Sequence, residues 1–89
     1  MEDLYLGLGS NLGHREQVLR QAVDLLTRRI GGLKSLSAFY ETSPWGFRSE
    51  HPFLNAVGVW RTDKTPEELL RITQAVEREL GRSRKSVAG

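Results

Sequence analysis

Phe53 and Asn55 stand two positions apart, a flat apolar ring and an amide. In a strand that spacing puts both on one side. A phenyl ring stacks on the face of a flat heterocycle, and an amide offers a donor and an acceptor in one plane to its edge. Just before them lies Thr42-Ser43-Pro44-Trp45-Gly46, a stretch in which proline can fix backbone groups beside such a ligand. The residue types also allow a plainer assignment, with Phe53 in the core and Asn55 as an ordinary polar residue of a strand. Arg82-Ser83-Arg84-Lys85 forms a cationic cluster near the C-terminus. The planar fork of arginine suits phosphate oxygens, although positive charge is also favoured at the end of a helix for its own sake. Leu70, Gln74 and Glu77 form a stripe on a helical repeat, one apolar residue beside an amide and a carboxylate. Such a stripe can pack on a nucleoside base and bond its edge or ribose. It equally describes a solvated helix face.

Other chemistries find no support. Gly7, Gly9 and Gly13 space as GxGxxxG and not as the dinucleotide fingerprint GxGxxG. The simpler reading is a strand passing into a helix through a glycine turn. His14 and His51 lack neighbours at metal-ligand spacing and read as surface histidines. Asp3, Asp24 and Asp63 are scattered, so no metal site is expected in this chain. There is no cysteine, hence no disulfide framework and no thiolate site. No Walker motif and no Ser-His-Asp pattern is present.

The elements that must position these residues follow from periodicity. Leu4, Leu6 and Leu8 alternate with Tyr5, Gly7 and Gly9, as in a strand with one apolar face. Val18, Leu19, Ala22, Leu25 and Leu26 form a helical stripe between His14 and about Arg29, ended by Gly31-Gly32. A second strand is expected over 33–42 and a third over 53–62. The third should turn Phe53, Asn55, Val57 and Val59 to one face and Leu54, Ala56 and Trp60 to the other. The connection 43–52 is longer than a hairpin requires. Thr65, Pro66 and Glu68 form a helix start with a capping box. Leu69, Ile72, Val76 and Leu80 should face the sheet, and Gly81 should end the helix. The 89 residues suffice for one small domain, 1–89. Lysine plus arginine number 13 against 11 acidic residues, a balance that does not call for a nucleic-acid or membrane partner. The N-terminal apolar run is too short for a signal peptide or a span, and a cytoplasmic location is the expectation.

Read in order, Leu6-Gly-Leu-Gly-Ser-Asn-Leu-Gly13, Tyr40-Glu-Thr-Ser-Pro-Trp-Gly-Phe47, Phe53-Leu-Asn-Ala56, Gln74-Ala-Val-Glu77 and Gly81-Arg-Ser-Arg-Lys85 resemble the N-terminal part of the 6-hydroxymethyl-7,8-dihydropterin pyrophosphokinases, folate-pathway enzymes. The resemblance implies an α+β, ferredoxin-like βαββα(β) two-layer sandwich. With the chain ending at Gly89, it implies that the final strand is missing, that strand one is an exposed edge open to self-association, and that the arginine cluster is disordered. It implies small-molecule substrates, with ATP as co-substrate and Mg2+ in the complete enzyme. Thr42, Ser43, Trp45, Phe53 and Asn55 fall on the pterin side; phenylalanine stands at 53 where the family often has tyrosine, and Ser43-Pro44 replaces a Pro-Pro pair. Leu70, Gln74, Glu77, Arg82 and Arg84 fall on the ATP side, the two arginines in a catalytic loop. The family's paired aspartates have no counterpart here, so this chain alone is expected to be inactive. One alternative is a short relative that binds pterin without catalysis. Another, an unrelated RNA-binding domain of the same fold class, is disfavoured because no paired-strand aromatic signature is present.

Overall fold

Alternation of leucine with small residues builds β1 (Glu2–Ser10), in which Leu6 and Leu8 are buried and Tyr5 is exposed. The computed structural model describes residues 2–11, 13–42, 52–81 and 84–88, the last five by their backbone only. α1 (Arg15–Arg29) turns Leu19, Ala22 and Leu26 inward, as the helical stripe predicts, and adds Val23, which the stripe did not include. The chain leaves α1 through Ile30 and Gly31. Gly31 has φ 156°, and a Cβ there would stand 2.1 Å from the Arg61 carbonyl oxygen, so only glycine lets the backbone pass so close to its neighbour.

The strand expected over 33–42 is two strands, β2 (Gly32–Leu36) and β3 (Tyr40–Thr42), both pairing with β4 (Phe53–Thr62). The break has a local cause. The register slips between Leu33 and Ser35. Further on, the Val57 N–H donates to Ser37 Oγ at 2.8 Å, while the Ser37 N–H donates to the Val57 carbonyl at 2.9 Å. A side-chain oxygen thus takes the place of a ladder carbonyl, and regular pairing resumes only at Tyr40.

β4 follows its predicted alternation: Leu54, Ala56 and Trp60 are buried, and Val57 on the other face is 38% exposed. α2 (Pro66–Leu80) begins with the predicted capping box. Thr65 Oγ1 accepts from the Glu68 N–H at 3.2 Å, and Glu68 Oε1 accepts from the Thr65 N–H at 3.3 Å. Gly81, with φ 83°, follows the last helical residue.

Two expectations about the chain end are corrected. A final strand is present, β5 (Arg84–Ala88), and it lies antiparallel to β1 with Tyr5 opposite Ala88 and Gly9 opposite Arg84. The edge of β1 expected to be open to self-association is therefore filled over Tyr5–Gly9, and Arg84 lies in a strand, not in a disordered loop. The physical reason is the one that made the open edge a hazard: an unpaired row of N–H and C=O groups on a central strand is satisfied by whatever segment can reach it.

The sheet runs β2-β4-β1-β5, with β3 also on β4, and every pairing is antiparallel. Both helices pack on the face that carries Leu6, Leu8, Leu54 and Trp60, enclosing these with Leu19, Leu26 and Val76. The Arg29 guanidinium joins the helices, donating to the two Glu79 carboxylate oxygens at 2.5 and 2.8 Å. Among the described residues no helix is long and apolar enough to cross a membrane.

Candidate functional site

β3 and β4 pair Tyr40 with Asn55 and Thr42 with Phe53, leaving Glu41 opposite the buried Leu54. Residues directly opposite in a ladder share a face. Tyr40, Thr42, Phe53 and Asn55 therefore stand together on the face away from the helices. β1 continues that face on the other side of β4, where Gly9 is opposite Asn55 and Gly7 is opposite Val57. Two glycines give the sheet a floor without side chains beside the amide.

The Asn55 amide is held in a definite sense. Its Nδ2 donates to Thr42 Oγ1 at 2.7 Å, with longer approaches of 3.4 Å to the Tyr40 and Phe53 carbonyl oxygens. The amide hydrogens are thus turned toward the protein, which leaves Oδ1 as the acceptor. Thr42 Oγ1 already accepts from Asn55 and keeps its own hydrogen to donate. The pair offers one donor and one acceptor side by side, next to the half-buried Phe53 ring. The expectation of Phe53 and Asn55 on one strand face is met, and Thr42 joins them through a bond that spacing alone does not predict. Ser43 and Trp45 lie outside the described residues, as does Arg82.

Arg84 is placed by backbone register. It is opposite Gly9, which is opposite Asn55, so Arg84, Gly9, Asn55 and Tyr40 form one row across four strands. With strands about 4.8 Å apart, two steps separate the Arg84 and Asn55 backbones by roughly 10 Å. The Arg84 backbone and the Thr42–Asn55 pair are therefore at the same end of the sheet.

The α2 stripe is less compact. Leu70 is 54% exposed, Gln74 is exposed and Glu77 is half-buried. Leu70 lines a cavity of about 410 Å³ together with Leu4, Leu6, Thr62, Pro66 and Leu69, rimmed by Glu2, Asp3 and Lys64. Thr62 lies seven residues beyond Asn55 on β4, roughly 23 Å along the strand. The structure does not bring Leu70 to the Thr42–Asn55 pair. Gln74 and Glu77 follow it by about 6 and 10 Å along the helix axis, in the direction of Gly81 and the segment leading to β5.

The described carboxylates do not fit a pair of divalent cations. Asp3 is bonded by Lys34 Nζ at 2.8 Å with Arg61 Nε at 3.8 Å, and the Lys34 hydrogen bond above all holds its carboxyl below the usual aspartate value. Asp24 is 3.2 Å from Arg28. Among the described residues no three His, Asp or Glu side chains converge.

One residue at this end escaped the sequence reading. Arg15, at the start of α1, donates from Nη1 to the Pro52 carbonyl at 2.8 Å and from Nη2 to the Glu41 carboxylate. The signal for it was faint: a cation in the first turn of a helix, where the dipole favours anions.

Comparison with known proteins bears on the whole of this arrangement. A family model described as 7,8-dihydro-6-hydroxymethylpterin-pyrophosphokinase matches residues 5–89. A 2-amino-4-hydroxy-6-hydroxymethyldihydropteridine pyrophosphokinase of Porphyromonas gingivalis is 56% identical over 89 residues, which is 100% of this chain and 60% of the relative. Proteins of the same name from Bacillus subtilis and Aquifex aeolicus are 45% and 38% identical, covering 91% and 96% of this chain and 49% and 52% of their own lengths. The chain thus spans between about half and three fifths of the curated relatives it matches.

Proposed function

The chain belongs to the 7,8-dihydro-6-hydroxymethylpterin-pyrophosphokinase family, and from that premise we propose that it carries the pterin-binding surface of an enzyme that moves pyrophosphate from ATP to the pterin hydroxymethyl group. The observation that carries this reading is the Thr42–Asn55 pair, with its donor and acceptor side by side. A pterin edge presents amide and amine groups much as guanine does. Asn55 Oδ1 accepts from an edge N–H, the Thr42 hydroxyl donates to an adjacent acceptor, and Phe53 supplies a face for stacking. Ser43 and Trp45, outside the described residues, are assigned to the pterin by the family pattern of the sequence alone.

The ferredoxin-like arrangement belongs to the same proposal. It is supported by the strand order β2-β4-β1-β5, in which the first and third strands of a βαββαβ chain lie side by side, β3 being a short outlier of the second. The nucleotide is assigned to the α2 side: Leu70 packs on adenine, while Gln74 and Glu77 bond base edge or ribose. Arg82 and Arg84 are assigned to the polyphosphate; for Arg84 the support is the backbone register that sets it opposite Gly9. Transfer of this kind depends on positioning and on neutralising charge along the phosphates. Magnesium supplies much of that neutralisation when bound, and the carboxylates described here do not provide its site. A second reading is a short relative that binds pterin without catalysis, and the assay below separates the two.

Calorimetric titration with a pterin analogue tests the reading. Replacing Asn55 by alanine removes the acceptor and frees Thr42, at a cost of about 1–3 kcal/mol in binding. Equal affinities for the parent and Asn55→Ala would remove this surface from the site. AMP release coupled to pterin diphosphate formation by the chain itself would dismiss the second reading.

A further inference from the structure

We propose that Arg15 is a positioning residue, a fork from α1 that ties the end of β3 to the start of β4 and so sets the spacing of Thr42 from Asn55. The proposal rests on reading the Thr42–Asn55 face as the ligand surface. β3 has three residues and, among the described residues, pairs only with β4. A strand that short, at a sheet margin, is weakly held by its own ladder. Arg15 adds a second attachment from below. Glu41 lies opposite the buried Leu54, on the helix side, so the guanidinium grips β3 on the face away from Thr42 and Asn55. Its other nitrogen holds the Pro52 carbonyl, directly before Phe53.

Three observations separate this from an ordinary surface ion pair. The contacts span 26 and 37 residues and join α1 to β3 and to the residue that precedes β4. The Arg15 side chain is only 30% exposed. The position is also unfavourable for a cation on local grounds, since the helix dipole at its N-terminus repels positive charge and His14 provides no side-chain cap. Tertiary contact therefore accounts for arginine here better than helix stability does. Lysine replaces it only in part, because a single ammonium lacks the fixed fork that reaches a carboxylate and a carbonyl at once.

The test combines amide hydrogen exchange with calorimetry on the full chain, using a pterin analogue as the probe. Arg15→Ala is expected to speed exchange at Tyr40, Glu41 and Thr42 while the amides of Leu6 and Trp60 keep the parental rate. It should also weaken the analogue roughly two- to five-fold, the range of a partly exposed pair. Arg15→Lys should fall between Arg15→Ala and the parent in both readouts. Glu41→Gln added to Arg15→Ala should change little further. Unchanged exchange in β3 overturns the tether. Faster exchange with undiminished affinity overturns the positioning role, and uniform acceleration, core amides included, reduces Arg15 to general stability. Asn55→Ala is the control: if it binds as the parent does, or if the parent does not bind, the pterin reading fails, and the exchange data still decide for or against the tether.

Discussion

Gly58→Ala should destabilise the domain far more than a single methyl group suggests. Gly58 lies on β4 opposite Leu6, and the Trp60 indole folds back over it. A Cβ at position 58 would stand 2.4 Å from Trp60 Cη2 and 2.5 Å from Cζ3. The ring has little freedom to yield. It is fully buried, and its Nε1 donates to Thr27 Oγ1 at 3.0 Å, whose hydroxyl donates in turn to the Val23 carbonyl at 2.7 Å. Overpacking of this kind costs about 1–3 kcal/mol, and swinging the indole away from Thr27 adds about 0.5–1.5 kcal/mol for the lost hydrogen bond. The sum, roughly 1.5–4.5 kcal/mol, compares with about 4–13 kcal/mol of total stability for a domain this size. Urea unfolding followed by fluorescence in a Trp45→Phe background, so that Trp60 is the reporter, measures it directly. The midpoint should fall with little change in slope. In a Trp60→Leu background the same substitution should cost much less, because the ring is what it strikes. A Gly58→Ala protein within about 0.5 kcal/mol of its parent, the range of an unremarkable surface change, would refute the packing argument.

Acid should loosen the contact between the helices. Arg29 donates to both Glu79 oxygens and holds that carboxyl below its usual value of 4.5. A carboxyl depressed in the folded state stabilises the fold above its unfolded pKa, and the contribution disappears as pH falls through the lower folded value. Thermal melts from pH 6 downward should therefore show stability falling below about pH 4.5, with a shallower fall in Glu79→Gln. Glu68, depressed by its bond from the Thr65 backbone, acts in the same direction. Thr65→Ala removes the cap of α2 and should cost about 1 kcal/mol, read as a lower melting temperature without loss of pterin affinity.

Much of the frame was legible because it rests on local rules. The capping box of α2 is a four-residue pattern, and the two faces of β4 follow from alternation. The β2–β3 break was not legible, since it depends on Ser37 meeting Val57 across the sheet. β5 was missed for a related reason: Arg84-Lys-Ser-Val-Ala88 has a weak strand signal, and its partner is the far end of the chain. At the site, Phe53 and Asn55 could be paired from spacing, but Thr42 as the partner of the Asn55 amide required the register of β3. Arg15 was least visible, because both of its partners are distant in sequence and its own neighbourhood offers only a cation out of place in the first turn of a helix.

The central claim is that the face of β3 and β4 away from the helices, at the Gly9 end of the sheet, binds a pterin. A titration of the isotope-labelled chain with a pterin analogue, followed by amide chemical shifts, tests it most directly. Saturable shifts should appear at the Asn55 side-chain amide and at the backbone amides of Gly9, Thr42 and Asn55, while Lys64, Leu70 and Thr73, around the cavity at the opposite end, stay where they are. Shifts confined to Lys64, Leu70 and Thr73, or none at any of these positions at millimolar analogue, would contradict it.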